Sequence, residues 1–377
     1  MKRITFKREL LIDALTFGGM YAGANRLMPV LDNILVKTDG RENVVMSSTC
    51  LDLGTSVTLN ATVETDEIGG FGFCIDPKTL KNIVGTLSCE QVSLEPQTNS
   101  CVVRYPNGSA SLPAPDCKEF PDTEIADMDK MFQLESATLS YILNTSKPFI
   151  GNDELRPTMK TVFMKGVGEG LEFCATDAHR MVCDIVGIGT QSDALGENGF
   201  MLPKSAIPAM LLASKDSSVC TFYSNSASMV VDFGGKKVFF TKPSGKYPNY
   251  HAILDGVVDN TNRCEVMCAD FKGAIIRASM CASNTTKTVV ITTGEEAKVS
   301  AEDVDFGRKS EEVVSVSSFD GGGVQFGMNA AFLHECIDSI EDDTVTICTK
   351  SPNKAVTFFD KKHPKKTTLL MPVMLSN

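Results

Sequence analysis

Residues 75–87 read IDPKTLKNIVGTL, and their spacing sets how the rest of the chain is parsed. Leu80, Ile83, Val84 and Leu87 stand at i, i+3, i+4 and i+7, which lines one face of an α-helix. Asp76 suits the N-cap, where a carboxylate accepts from the free amides of the first turn, and Pro77 suits the first helical position. The pattern returns in LPKSAIPAMLLAS (202–214) with Ile207, Met210 and Leu211, and in MNAAFLHECIDSI (328–340) with Leu333, Cys336, Ile337 and Ile340. Leu80, Ile207 and Leu333 lie 127 and 126 residues apart, the mark of an internal repeat.

Two more landmarks keep the period. Leu11, Ala14 and Leu15 match Leu139, Ile142 and Leu143, then Phe271, Ala274 and Ile275, an earlier helix in each copy. Pro121 in EFPD, Pro248 in KYPNY and Pro372 in LMPV close the copies, and proline there suits an edge strand or a strand end. Between the helices lie short β-rich runs, among them NILVKT, SVTLNATV, TVFMKGV, SMVVDF, KKVFFT, KTVVITT and AVTFFD. Separated by Gly, Asn and Asp, they read as antiparallel strands and hairpins. Each copy therefore holds two helices and about eight strands, an α+β unit. The copies are expected at 1–124, 125–257 and 258–377.

A chain of 377 residues fits two or three domains. No apolar run reaches the ~18 residues of a membrane-spanning helix. The N-terminus has the charge of a signal peptide, but Arg8, Glu9 and Asp13 interrupt any apolar core, so a cytoplasmic protein is expected. Thirteen cysteines without a secretion signal point to reduced thiols used as small hydrophobes. Cys264 and Cys268 have the wrong spacing for a zinc or redox pair, and no metal or cofactor is expected. The net charge of −11 and pI near 5.0 speak against nucleic-acid binding, unless the basic residues are gathered on one surface.

The densest chemistry lies in FCATDAHRMV (173–182). An enzyme would use Asp177 and His179, with Cys174 or Cys183, as an acid/base or nucleophile set; Asp-x-His on one strand would share a face. Yet the sequence has no nucleophile elbow, phosphate loop, dinucleotide fingerprint or zinc-protease motif. DFGGKK and FDGGGVQFG read as hairpin turns, and DFG at 305–307 lacks every companion of the kinase set. Thr176 also lies 127 residues after Thr49 in SSTCLDLGTSV, so the segment is a recurring element of the fold. His179 and Arg180 are what the second copy adds, and the family resemblance set out next implies that they shape the rim of a docking site.

RLMPVLDNILV (26–36), DELRPTMKTVFMKGVGEGLEFCATDAHRMV (153–182), GKYPNYHAIL (245–254) and the terminal TLLMPVML segment together resemble the bacterial DNA polymerase III β subunit family, the sliding clamps. The likeness runs the length of the chain, in order and at matching spacing. It implies three tandem clamp domains, each with two helices packed on antiparallel sheets. It further implies a head-to-tail homodimer closing into a six-domain ring around duplex DNA, with no catalytic activity. The partners implied are double-stranded DNA, bound without sequence preference, and short linear peptides of polymerase and clamp-loader subunits.

The resemblance also implies sites. A hydrophobic peptide pocket between domains two and three would be walled by Met159, Thr176, Ala178, His179, Arg180, Met181, Pro248, Ile253, Ala355, Val356, Leu369, Leu370, Met371, Pro372, Val373, Met374 and Leu375. Methionines and aliphatics suit a surface that accepts many related peptides. The family commonly has arginine where Ala252 and Met374 stand and glycine where Ala178 stands, which implies a shifted peptide preference. DNA-facing residues would be Arg26, Lys78, Lys81, Lys147, Lys204, Lys272 and Arg277, with the acids on the exterior. The dimer interface falls at Ala110 and Leu112 against Met280 and Cys281; the family often has a larger aromatic where Ala110 stands. The rival readings are a repeat-domain adaptor that encircles no DNA, and a hydrolase built on Asp177 and His179.

Overall fold

The computed structural model describes residues 2–25, 27–67, 69–188 and 199–375. Its elements repeat three times in one order: strand, helix, a run of strands, a second helix, three strands. The first copy is β1 (Lys2–Lys7), α1 (Arg8–Gly18), β2 (Ile34–Thr38), β3 (Asn43–Thr49), β4 (Leu53–Asn60), β5 (Thr62–Thr65), β6 (Phe71–Ile75), α2 (Pro77–Thr86), β7 (Gln91–Pro96), β8 (Ser100–Tyr105) and β9 (Gly108–Pro113). The second is β10 (Asp129–Glu135), α3 (Ser136–Ser146), β11 (Thr161–Val167), β12 (Gly170–Thr176), β13 (Arg180–Gly187), β14 (Phe200–Pro203), α4 (Ile207–Ala213), β15 (Val219–Ser224), β16 (Ser228–Asp232) and β17 (Lys236–Thr241), followed by α5 (Tyr250–Val257). The third is β18 (Asn262–Met267), α6 (Cys268–Ser279), β19 (Thr288–Thr293), β20 (Ala297–Asp303), β21 (Arg308–Val314), β22 (Val316–Asp320), β23 (Val324–Asn329), α7 (Ala330–Asp338), β24 (Thr344–Thr349), β25 (Val356–Phe359) and β26 (Thr367–Leu370).

Local chemistry accounts for the helix starts. Asp76 accepts hydrogen bonds from the amides of Lys78 and Thr79, and Asn329 caps α7 through the amides of Ala331 and Phe332. α4 has no side-chain cap and is the shortest of the repeated helices. The spaced apolar residues are the buried ones: Leu80 and Val84 on α2, Leu11, Ala14 and Leu15 on α1, Leu333, Cys336 and Ile337 on α7. Helix α5 had no strong signal in the sequence, because its eight residues bury only Tyr250.

By contacts the chain forms two compact units, residues 1–141 with 205–242, and residues 142–204 with 243–377. The first unit holds a five-stranded sheet ordered β5-β1-β7-β8-β9 and an eight-stranded sheet ordered β10-β15-β16-β17-β4-β3-β2-β6. The second holds a nine-stranded sheet ordered β14-β11-β12-β13-β26-β25-β24-β18-β22 and a four-stranded sheet ordered β21-β20-β19-β23. The repeat and the units differ because strands of the second copy enter sheets of both its neighbours. β17 pairs with β4, and β13 pairs with β26. At the first junction Gly54 lies opposite Phe239, and a Cβ there would come within 2.2 Å of the phenyl ring, so close strand approach requires glycine.

Pro121, Pro248 and Pro372 lie in connecting segments beyond the last strand of each copy, not within edge strands. The hairpin readings at Gly234-Gly235 and Gly321 match left-handed glycines between β16 and β17 and between β22 and β23. All thirteen cysteines are free thiols, and burial pushes Cys101 and Cys220 up to about 12. Among the described residues no helix is long and apolar enough to cross a membrane.

Candidate functional site

The turn at 177–179 joins β12 to β13, and its backbone is set by side chains. Thr176 Oγ1 donates to the carbonyl of Arg180 at 2.8 Å and accepts from the amide of Ala178 at 3.2 Å. In the first copy, 127 residues earlier, Thr49 Oγ1 donates to Leu53 O at 3.1 Å and accepts from Leu51 N at 3.0 Å. Ala178 and Leu51 both take left-handed backbone angles, φ 74° and 84°. The same turn has therefore been built twice from the same threonine.

Asp177 is fully engaged in holding this turn. Its Oδ1 accepts from the amides of His179 and Arg180, both at 2.9 Å, and its Oδ2 from Arg180 Nε at 2.9 Å. Asp177 and His179 lie in the turn and not along one strand, so the expected shared strand face does not form. The His179 ring stacks on Phe332 at 6.1 Å. The neighbouring Cys174 thiol and burial hold Cys183 well above the ordinary thiol range, the wrong direction for a nucleophile while the hairpin stays closed. The hydrolase reading thus loses Asp177, which the turn and Arg180 engage, and Cys183.

Arg180 lies inward, contrary to its expected place at the rim. Its side chain is 8% exposed, packed over Phe332 with Cζ 4.3 Å from the ring centroid and 5.7 Å from that of Phe149. It pairs with Asp177 and with Glu335 of α7. Phe332 and Glu335 were missed from sequence, since nothing local to either segment signals a contact across 155 residues.

β13 pairs with β26, placing Arg180 opposite Leu370 and Met181 opposite Leu369; Val356 of β25 faces Leu370 on the other side. Beyond β26 the chain is held by two backbone bonds, Met371 N to His179 O at 2.8 Å and Val373 N to Gly327 O at 2.9 Å. Gly327 makes room for it, since a Cβ would sit 2.7 Å from Leu375 Cδ2. Of the seventeen pocket residues, Thr176, Arg180, Met181, Ala355, Val356, Leu369 and Leu370 are buried. Met159, Ala178, His179, Pro248, Ile253 and Met371 to Leu375 reach the surface, with Ile253 at 42%, Met371 at 42% and Met374 at 78% exposed.

Under this surface Met181, Ala355 and Leu369 pack with Cys174, Cys183, Tyr247 and Tyr250. Tyr247 donates to Cys174 O at 3.2 Å, and Tyr250 donates to the buried Glu172 carboxylate at 2.6 Å. Burial pushes both phenols far above their usual range. A cavity of about 800 Å³ opens beside them, lined by Phe163, Tyr247, Tyr250 and others; of the seventeen, Pro248 alone borders it.

The basic residues divide into free and engaged. Lys78 and Lys81 on α2 and Lys147 after α3 have no ion-pair partner among the described residues. Lys204 donates to Ile150 O and Asn152 Oδ1, and burial, with the nearby Arg180 charge, lowers its affinity for a proton. Lys272 pairs with Asp338, and Arg277 pairs with Glu312 at 2.5 Å. Arg26 lies outside the described residues. Ala110 and Leu112 stand on β9, the last strand of its sheet, whose only partner among the described residues is β8. Met280, 67% exposed, and half-exposed Cys281 follow α6. In that unit β21 is likewise a terminal strand, paired among the described residues only with β20.

Comparison with known proteins places this geometry. Residues 258–374 match the family of the C-terminal domain of the DNA polymerase III beta subunit. A beta sliding clamp from Synechocystis is 23% identical over 371 residues, covering 93% of each chain; one from Escherichia coli is 20% identical over 380 residues, covering 99% of this chain and all of that one. Solved clamps from Bartonella birtlesii, bound to griselimycin, and from Bacillus subtilis superpose over the full length of both chains with TM-scores of 0.91, at 17% and 15% identity. The fold is that of the sliding clamps. Residues 258–374 carry the family match, and along nearly its whole length the chain is similar to beta sliding clamps.

Proposed function

We propose that the chain is a DNA polymerase processivity factor. It is not an enzyme. Two chains close head to tail into a ring of six domains, three per chain with boundaries at 124/125 and 257/258. Duplex DNA threads the ring, and polymerase and loader subunits dock by short peptides on the surface made by β13, α5 and the segment after β26. The observation that carries this reading is the superposition on solved clamps along the whole chain.

Other features support it. Among the described residues β9 and β21 end their sheets with one unpaired edge each, and such edges are templates for pairing with another chain. The free lysines at 78, 81 and 147 suit phosphate contacts without base readout. The exposed Met371 and Met374 beside Ile253 and Pro248 offer a pliable apolar surface for peptides. Such work places the protein in the cytoplasm. The test is fluorescence anisotropy with a labelled polymerase tail peptide. Saturable binding is expected, lost on deleting Met371 to Asn377 while the dimer persists. Full affinity after that deletion would contradict the pocket.

A further inference from the structure

Cys174 and Cys183 are direct partners across the β12–β13 ladder. The phase of the ladder follows from its ends. Asp177 N donates to Arg180 O, and Ile188 N donates to Glu169 O, so odd-numbered positions of β12 are the hydrogen-bonded pairs. Cys174 and Cys183 therefore form a non-hydrogen-bonded pair, the type with the closer backbones, about 4.5 Å between Cα atoms. That separation lies inside the range a disulfide spans. Both side chains leave the sheet on one face and join the same buried cluster. Cys183 Sγ also reaches Glu172 Oε1 at 3.6 Å.

We infer that Cys174 and Cys183 are a redox modification site, a dithiol that small-molecule disulfides such as oxidised glutathione convert to a cross-strand disulfide. Cys183, 5% exposed against 0% for Cys174, reacts first. On local opening, which brings water to the sulfur and relieves the raised proton affinity that Cys174 and burial impose in the closed hairpin, its thiolate attacks one sulfur of the small disulfide, forms a mixed disulfide and expels one small thiolate. The Cys174 sulfur then displaces the second small thiolate and closes the cross-link. The two cysteine protons leave on the two small thiols; two protein thiols are oxidised and one small disulfide is reduced. Access is through α5, whose only fully buried residue, Tyr250, covers the pair. This site depends on the hairpin alone and stands whether or not the peptide-docking reading holds.

The test is a glutathione titration of the folded full-length chain, followed by alkylation, digestion and mass spectrometry. A second arm runs at the highest urea concentration that leaves the circular dichroism unchanged, which removes slow access. The expected result is a Cys174–Cys183 peptide pair about 2 Da lighter than its two thiols, formed before any other cysteine link and reversed by reductant. Cys183→Ser should abolish the link and leave the fold intact. Recovery of both cysteines fully alkylated in both arms, or their linkage to other cysteines instead, would overturn the assignment.

Discussion

At position 178 the protein places alanine in a left-handed turn, as it places leucine at the matching position 51. A side chain there costs about 1–2 kcal/mol, while glycine's greater freedom in the unfolded chain opposes its use by about 0.5–1 kcal/mol. Ala178→Gly and Leu51→Gly should each therefore stabilise by about 0.5 kcal/mol in urea unfolding. Destabilisation by both would contradict a shared turn. Arg180 argues in the other direction. Replacing it with alanine strands Asp177 and Glu335 and empties the space between two phenyl rings. A loss of about 3 kcal/mol is expected, whereas a rim residue would cost under about 0.5 kcal/mol. The threonine and its period were legible in the sequence. The inward course of Arg180 was not, since Glu335 and Phe332 come from a helix far along the chain.

Among the elements, the return from β25 to β26 depends on a buried ion pair. Lys366 Nζ lies 2.8 Å from Asp360 Oδ2 and donates to Ser339 O at 2.7 Å. Burial works to raise the Asp360 carboxyl, but Lys366 and the amides of His363 and Glu341 outweigh it and hold it below the usual value of 3.8. A depressed folded value means the stabilisation is present above the unfolded value and lost as pH falls through the folded one. Urea midpoints measured from pH 6 to pH 2 should therefore drop on acidification below about 4, with a smaller drop in Asp360→Asn. Equal slopes in the two proteins would remove Asp360 from the acid response. The helices at 77, 207 and 330 were readable because their apolar spacing is long and, at two of them, capped. α5 was not, because it is short and mostly exposed. The sharing of β17 and β26 across copies was invisible, since strand pairing over long separations leaves no local periodicity.

For the whole molecule, net charge pointed away from DNA while the repeat and the family resemblance pointed toward it; the full-length match to solved clamps shows the fold. Lysines on helices carry little signal one by one; only their gathering on one surface has meaning for a polyanion. On the proposed ring reading the edges at β9 and β21 meet a second chain, and light scattering should give twice the chain mass. A strict monomer at micromolar concentration would count against closure, and Ala110, small at that edge, is where a weak interface would be strengthened by a larger apolar residue. Encirclement itself is tested by loading the protein with a cognate clamp loader and ATP on a singly nicked circular duplex, then cutting the circle. Retention through gel filtration at high salt, followed by release on linearisation, is the predicted result; retention that survives the cut, or none on the circle by an intact dimer, would contradict a topological clamp.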